Sequence, residues 1–600
     1  MTYVKQEFAN EPRIQIAEHL VRTEQQLAGV LEKQHSAGPR RHVFLFSNYL
    51  WNTNANLQLS RLAKQLDPHC VTIHGGPDTP AYTEASKNFL AREPHVDFIV
   101  AGEGEETLKE LLEALALGSG ETVHVNGLRF LSNGTFVETA PRLRAPDVNR
   151  FPSPYLTGFF DSLDSDEVMN WQSATIETFR GCPYACTFCD WGSIMGSKVK
   201  LFDLNRVIAE VEWAASRKIS TIWIADSNFG LLERDVEIAR QISEIKKRTG
   251  FPRSMILTFA KNVKSHVVEI VKLMVDAGLL AQGIISLQTS DPSTLKVIRR
   301  TNIKTSEYEK LRHEFAQRDL PLTVELMMAL PGSTVEALKG DLAYHFDLPI
   351  EVFVHRTVML PNSPMADPKY QREHGIEVDE QKRVSATATM SAADIEAASV
   401  ICRVFQGVHR FGILRYVLRW LQWEKGFNPL DLMHDLIGDR EALARHPLLG
   451  AFISDASIIS NAEVDLVNTV ESFREQLRIS SSWDALSGQF IAWASRRHDL
   501  GEDDTLNELG QFQARLMPSA GRQFPDDVPI KHDVVRWYAD WLAGRGAALS
   551  TYGPGMLQID DPYGLSNRPY FESQASVPSY SWELESALAQ SRRTHAKHLP

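Results

Sequence analysis

Along the first 40 residues, Ile14, Ile16, Ala17, Leu20, Val21, Leu27, Val30 and Leu31 recur at helical spacing, which predicts a helical lead-in over residues 1–40. The texture changes after Pro39-Arg40: Val43-Phe44-Leu45-Phe46 is continuously apolar, a polar loop Ser47-Asn48-Tyr49 follows, and a helical stretch runs through Leu59, Leu62 and Leu66. The same unit recurs as Val71-Thr72-Ile73, then Gly75-Gly76-Pro77, then a helix to about Leu90. A third copy reads Val96-Asp97-Phe98-Ile99-Val100, then Gly102-Glu103-Gly104-Glu105, then a helix from Leu108 to Leu115. Short apolar strands alternating with helices predict a parallel sheet in a doubly wound, Rossmann-like α/β domain over residues 41–145. A ligand of such a sheet sits outside the carboxyl ends of its strands, where these three loops converge. Asn133-Gly134 predicts a hairpin at the domain edge.

Residues 140–154 read APRLRAPDVNRFPSP, which is proline-punctuated and without period, and predict a linker carried through residues 146–170. A second strand–helix series starts at Thr175-Ile176-Glu177-Thr178 and continues at Thr221–Ile224, Met255–Thr258, Gly283–Leu287, Leu322–Leu326 and Val352–Val354. Helical patterns such as Val207–Ala215 and Val236–Ile245 separate these strands. Six such units predict a partial parallel (β/α)6 barrel over residues 171–370, whose chemistry belongs at the C-terminal strand ends. Beyond residue 385 the spacing of Ile395, Ala398, Ile401, Val404, Phe405, Ile413, Val417 and Leu421 predicts a helical C-terminal domain to residue 600, with a proline-, tyrosine- and serine-rich tail.

Six hundred residues imply several domains, and 43% hydrophobic with 23% charged residues excludes wholesale disorder. The 63 basic and 76 acidic residues give a net charge of −13, which argues against a protein that coats nucleic acid or anionic membrane. Five cysteines are no disulfide scaffold and point to a reducing compartment. The first residues carry no apolar signal region, and the best apolar run, Ala277–Ser290, is too short to span a bilayer and contains glutamine and glycine. The expectation is a cytoplasmic protein that does not cross a membrane.

Three of the five cysteines fall in Arg180-Gly181-Cys182-Pro183-Tyr184-Ala185-Cys186-Thr187-Phe188-Cys189-Asp190-Trp191-Gly192, spaced C-x3-C-x2-C directly after the first barrel strand. Three thiolates on one loop can hold three irons of a cubane cluster and leave the fourth iron open, as a catalytic metal centre requires. The competing reading is a zinc knuckle, but a structural zinc needs four ligands and only the solitary Cys70 and Cys402 remain.

This C-x3-C-x-aromatic-C pattern, with Phe188 as its aromatic, resembles the radical S-adenosylmethionine superfamily. The resemblance implies a [4Fe-4S] cluster on Cys182, Cys186 and Cys189 whose free iron chelates S-adenosylmethionine and whose electron cleaves it to methionine and a 5′-deoxyadenosyl radical. It extends over about residues 170–365. The second barrel strand ends in Ala225-Asp226-Ser227-Asn228-Phe229-Gly230, where the family has a short polar motif for the methionyl amino group; the usual GGE-like form is absent, and Asp226 and Asn228 take its place. Gly332, in Leu330-Pro331-Gly332-Ser333-Thr334, matches the family's glycine turn against the adenine. Lys261, Gln288 and Glu325 are polar residues at or near the predicted rim and complete the expected S-adenosylmethionine contacts, the alternative for each being a solvated loop or satisfied inward position.

For the N-terminal domain, a nucleotide site would need G-x-G-x-x-G opening the first helix, and Ser47–Asn52 holds no glycine. The loops His74-Gly75-Gly76-Pro77 and Ala101-Gly102-Glu103-Gly104-Glu105 resemble instead the cobalamin-binding domain that precedes many radical S-adenosylmethionine enzymes, with glycines that let backbone approach a large flat ring. Ser47, Asn48, Tyr49, Gly75, Gly76, Gly102, Glu103, Gly104 and Glu105 are the expected cobalamin contacts. The D-x-H-x-x-G signature is missing, so the resemblance implies a lower cobalt face without histidine, covered by Tyr49 or Trp51; the alternative for Trp51 is packing against the second helix.

Together the two resemblances imply a cobalamin-dependent radical methyltransferase. It would move a methyl group from S-adenosylmethionine through methylcobalamin to a carbon of a small metabolite, amino acid or peptide, with antibiotic or other natural-product biosynthesis as the setting. Its partners would be that substrate and a one-electron reductant such as flavodoxin or ferredoxin. Non-methylating chemistry of the same cofactors (ring contraction, cyclisation, oxidation) is the runner-up, and a corrinoid redox sensor the third reading. Methylthiotransferases acting on transfer RNA need a second cysteine trio in the N-terminal domain, and enzymes with auxiliary clusters need several C-terminal cysteines; this chain has one in each place. Phe405, Arg410, Tyr416, Trp420 and Trp423 are expected either to cover the substrate pocket or to form core.

Overall fold

The computed structural model describes residues 1–17, 21, 23–35, 41–117, 121–162, 171–194, 196–259, 266–318, 320–348, 350–453, 466–500, 504–561, 564–567 and 585–586. They fall into two compact units, one of Met1–Ser227, Glu244–Pro252 and Met359–Glu373, the other of Asn228–Ser243, Arg253–Val358 and His374–Pro600.

The first unit opens with helices α1 (Thr2–Glu7) and α2 (Glu24–His35). Next come β1 (Val43–Ser47), α3 (Thr53–Leu66), β2 (Val71–Gly75), α4 (Thr83–Arg92), β3 (Phe98–Val100), α5 (Gly104–Leu117), β4 (Leu128–Ser132) and β5 (Thr135–Glu138). The strands lie in the order β1-β2-β3-β4-β5. The first three are parallel, with Val43 opposite Val71 and Ile73 opposite Phe98, and β4 and β5 continue the sheet antiparallel. Alternation along the strands sends side chains to both faces. Val43, Leu45, Val71 and Ile73 pack with Leu108, Leu111 and Leu115 of α5, while Phe44 and Phe46 pack with Leu27, Leu31, Leu59 and Ala63 of α2 and α3. Helices therefore cover both faces, the layering expected of the α/β domain. Asn133 and Gly134 take φ of 48° and 78°, the left-handed pair that a two-residue hairpin matching strand twist demands.

The aperiodic stretch after β5 is a strap held by arginines. Arg142 donates to Thr107 at 2.6 Å and pairs with Glu106 and Glu110, Arg144 pairs with Glu103 at 3.3 Å, and Arg150 pairs with Glu106. Then β6 (Ser173–Ile176), β7 (Phe179–Arg180), β8 (Lys200–Leu201), α6 (Leu204–Ser216) and β9 (Thr221–Phe229) begin the second series. β6 runs parallel to β9 with Ser173 opposite Thr221.

The second unit carries β10 (Ser254–Phe259), α7 (His266–Asp276), β11 (Gly283–Gln288), α8 (Pro292–Val297), α9 (Thr305–Gln317), β12 (Leu322–Met328), α10 (Val335–Phe346) and β13 (Glu351–Arg356). β11, β12 and β13 form a parallel sheet, Ser286 opposite Glu325 and Glu325 opposite Phe353. One face, with Ile285, Val324, Leu326, Val352 and Val354, is buried; the other carries the half-buried Ser286, Glu325, Met327, Phe353 and His355. All six strands of the second series thus form where the apolar runs place them.

Past residue 385 the chain is mainly helical, starting with Ala392–His409, whose Ser391 and Asp394 cap each other. Phe405, Tyr416 and Trp420 are buried, Tyr416 meets Phe512 and Tyr538 edge-on, and Trp423 stacks on Trp541 at 5.3 Å. Arg410 donates to Glu351 at 2.7 Å and lies 3.9 Å over the Phe353 ring. These side chains fill a core, the second of the two readings the sequence allows. The helical expectation needs one correction: Asp526–Ile530, Gly555–Asp560 and Glu585–Ser586 form a small antiparallel sheet. Acidic residues and Pro529 hide its first strand in the sequence, and proline is tolerated there because that strand is an edge. Among the described residues no helix is long and apolar enough to cross a membrane.

Candidate functional site

The thiol loop leaves the end of β6 and is closed at its base by the β7–β8 pair, Phe179 opposite Leu201 and Arg180 opposite Lys200. Inside it the backbone is drawn tight. Cys182 N–H donates to the Gly196 carbonyl at 3.0 Å and Cys189 N–H to the Cys186 carbonyl at 3.3 Å. Gly181 has φ of +113° and a Cβ there would stand 2.5 Å from the Lys198 carbonyl oxygen; one on Gly192 would stand 2.5 Å from that of Tyr184. The loop is a cradle that side chains at these two positions would fill. Cys182 and Cys186 are 3% and 4% exposed and Cys189 is half-buried, beside the half-buried Phe188. Among the described residues no three His, Cys, Asp or Glu side chains converge as a ready-made metal site. The donor set and the enclosing backbone fit an iron–sulfur cluster, whose ligands are thiolates.

Side chains behind the loop hold it in place. Asp226, 1% exposed, accepts from Thr178 N–H at 2.8 Å, from Phe179 N–H at 3.2 Å and from the Thr178 hydroxyl. Both carboxylate oxygens of Asp226 are engaged by the chain that leads into the loop. Ser227 Oγ donates to the Gly181 carbonyl at 2.8 Å. Arg180 donates to Glu177 at 3.0 Å and, across to the start of α5, to Glu105 at 2.8 Å. Burial works against its charge, but Glu177 and Glu105 outweigh burial and hold the guanidinium protonated.

In the second unit, Asn228 is fully buried at the end of β9. Lys261 lies outside the described residues. Gln288 ends β11 with φ of 67°, and its buried Oε1 has no hydrogen-bond partner among the described residues. Ala329, just past β12, has φ of 62°. Left-handed non-glycine residues at two adjacent strand ends are strained backbone, a feature that gathers at functional rims. Glu325 accepts from Ser286 Oγ at 2.6 Å and its carboxylate lies 3.7 Å from His355 Nε2. Burial alone would raise the Glu325 carboxyl, but His355, Ser286 and Arg300 together hold it below the usual carboxylate range. Gly332, φ +87°, closes a turn in which Ser333 N–H donates to the Leu330 carbonyl at 3.0 Å, and a Cβ there would stand 2.8 Å from Val297.

The N-terminal loops divide into structural and open positions. Asn48 is buried and engaged throughout: its amide bonds His74 Nδ1 at 3.1 Å and Thr79 Oγ1 at 3.2 Å, its Oδ1 accepts from Asn56 at 2.9 Å, and its N–H donates to the Gly75 carbonyl at 2.7 Å. Gly76, φ +93°, is required by this loop, because a Cβ would stand 2.6 Å from the Asn48 carbonyl oxygen. Glu103 accepts from Ala145 N–H at 3.0 Å and Glu105 is tied to Arg180. Asn48, Glu103 and Glu105 thus support the shape of the loops. Ser47, Tyr49 and Gly102 remain open to a ligand: Ser47 is exposed, Tyr49 is 38% exposed, and no atom lies within 4 Å of a Cβ built on Gly102, whereas Val100 stands 3.5 Å from one built on Gly75 or Gly104. Trp51 is 74% exposed and stacks on Tyr49 at 4.8 Å, so it does not pack into the second helix.

Sequence reasoning missed Arg180, Ser227, Ser286, His355 and the segment after β13. Of that segment the proline-punctuated Leu360-Pro361-Asn362-Ser363-Pro364 was the one available cue.

Residues 176–344 match the Radical SAM superfamily. The 2-(S-pantetheinyl)-carbapenam-3-carboxylate methyltransferase of Streptantibioticus cattleyicolor is 33% identical over 343 residues, 56% of this chain and 49% of that protein. The cobalamin-dependent radical SAM methyltransferase TokK of Streptomyces tokunonensis is 33% identical over 344 residues, again 56% of this chain and 49% of its own. The chain thus spans about half the length of these two relatives. The solved structure of the radical S-adenosylmethionine methyltransferase TsrM from Kitasatospora setae, with cobalamin and a [4Fe-4S] cluster bound, matches at TM-score 0.44 and 18% identity, covering 57% of this chain and 68% of that one.

Proposed function

We propose that this chain, whose residues 176–344 are a radical S-adenosylmethionine domain, is a cobalamin-dependent methyltransferase acting on a carbon of a small metabolite, amino acid or peptide in natural-product biosynthesis. The observation that carries the proposal is the loop of three cysteines, C-x3-C-x2-C, at the end of the first barrel strand. The two relatives at 33% identity, both named as methyltransferases, support it. When bound, a [4Fe-4S] cluster with S-adenosylmethionine supplies one-electron radical chemistry and a corrinoid supplies a methyl carrier.

The chain's own residues bind and orient. Cys182, Cys186 and Cys189 would hold the cluster, with Asp226, Ser227 and Arg180 keeping their loop in shape. Tyr49 and Trp51 would present an aromatic platform to the flat corrin, while Gly102 leaves room for its edge. Ser286, ionised Glu325 and His355 form a polar line on the less buried face of their sheet, suited to hydroxyl and amino groups of S-adenosylmethionine or substrate. A cytoplasmic flavodoxin or ferredoxin would supply the electron.

Anaerobic incubation of reconstituted protein with labelled S-adenosylmethionine and reductant tests this reading. S-adenosylhomocysteine together with methylcobalamin is expected. Deoxyadenosine alone points to non-methylating radical chemistry, and zinc in the thiol loop or no uptake of corrinoid refutes the proposal.

A further inference from the structure

Asn362 lies past the last barrel strand and belongs to none of the motifs above. Its side chain is buried, and its amide meets three main-chain groups of one loop: Oδ1 accepts from Ala81 N–H at 2.6 Å, and Nδ2 donates to the Pro77 carbonyl at 2.7 Å and the Thr79 carbonyl at 2.9 Å. One acceptor and two donors on so short a stem is what asparagine alone offers. The same segment also grips the thiol loop. The Asn362 carbonyl accepts from Ser193 Oγ at 2.6 Å, Met365 N–H donates to the Thr187 carbonyl at 2.8 Å, and the Thr187 and Tyr370 hydroxyls meet at 3.0 Å. Tyr82 adds a bond from its hydroxyl to the Ser363 carbonyl at 3.0 Å. Thr187 stands between Cys186 and Phe188, and Pro77–Ala81 directly follow Gly75-Gly76.

We propose that Asn362 is a positioning residue that clasps the 77–82 loop of the N-terminal sheet to the thiol loop, so that a ligand held by one is kept in register with a ligand held by the other. The clasp as a functional device rests on the reading of these loops as corrinoid and cluster sites. Aspartate at this position would set a carboxylate against two carbonyls, and alanine would leave Ala81 N–H without its acceptor.

The full chain is tested with Asn362→Ala and Tyr82→Phe. Without any cofactor, hydrogen exchange in peptides covering 76–82 and 187–193 should accelerate together, by about tenfold or more in Asn362→Ala and less in Tyr82→Phe. Acceleration confined to one peptide, or none, overturns the clasp. After reconstitution, Asn362→Ala should keep its bound iron and cleave S-adenosylmethionine to 5′-deoxyadenosine within about threefold of the parent, while methyl transfer through the corrinoid falls about tenfold or more. Equal loss of both products, as a merely structural role would give, or loss of neither, overturns it. A parent chain that takes up no corrinoid sinks the functional reading and leaves the exchange result standing. Should Asn362→Ala fail to fold, Asn362→Ser and Tyr82→Phe carry the same measurements.

Discussion

Asp226 separates two roles that the sequence does not tell apart, because a ligand contact and a loop support respond differently to the same substitutions. In the structure its carboxylate holds two buried main-chain N–H groups, those of Thr178 and Phe179, at 2.8 and 3.2 Å. Asp226→Ala leaves both donors buried without that acceptor, at about 1–3 kcal/mol each, so about 2–6 kcal/mol together. A domain of this size melts roughly 2–4 °C lower for each kcal/mol lost, which places the expected fall at roughly 10 °C. Asp226→Asn keeps an oxygen toward the amides, and the Thr178 hydroxyl can turn to accept from the new amide; the loss is that of charge assistance, about 1 kcal/mol. The assay is thermal unfolding of the cofactor-free chain, followed by iron content after reconstitution. The alanine variant should melt early and hold little iron, and the asparagine variant should resemble the parent in both. An alanine variant that melts within about 2 °C of the parent and holds its iron, changing only the KM for S-adenosylmethionine, refutes the support role.

Burial, with a smaller contribution from His95, pushes the His74 pKa down from 6.5 to about 3. Stability from this site is full above about 6.5 and is lost as pH falls toward 3, because the unfolded chain takes a proton the folded one refuses; the slope is at most about 1.4 kcal/mol per pH unit and the loss about 2 kcal/mol at pH 5. His74→Gln should flatten that part of the stability curve, and an unchanged slope contradicts it. Gly76→Ala should destabilise by about 2 kcal/mol or more, and more than Gly102→Ala, since only the former drives a Cβ to 2.6 Å from a carbonyl oxygen; melting points in the reverse order contradict it. Trp51→Ala should leave stability within about 0.5 kcal/mol, because the ring is 74% exposed, and should weaken corrinoid retention; a clear drop in melting point would show that the indole is packed after all.

The barrel strands could be read from the sequence because each is a short apolar run bounded by turn residues, and the thiol loop of Cys182–Cys189 because its spacing is local. What stayed hidden depends on partners far away in the chain. Asn48 looks like a loop residue until His74 and Thr79 are seen against its amide. The partner of Asp226, Thr178, stands 48 residues earlier in the chain. Asn362 meets Ala81 across 281 residues, a separation at which no periodicity carries information. The C-terminal sheet escaped for a local reason: Asp526-Asp527-Val528-Pro529-Ile530 has neither the alternation nor the β-branched run of an interior strand.

Cys182 and Cys186 are almost wholly shielded while Cys189 is half-buried, a gradient that would order the loading of a cluster on the proposed reading. An incoming iron–sulfur unit, or an alkylating reagent, meets Cys189 first and gains the other two sulfurs only when the segment breathes open. Maturation on that reading would be a capture in stages, with the outermost sulfur as the landing point and the inner pair as the closing grip.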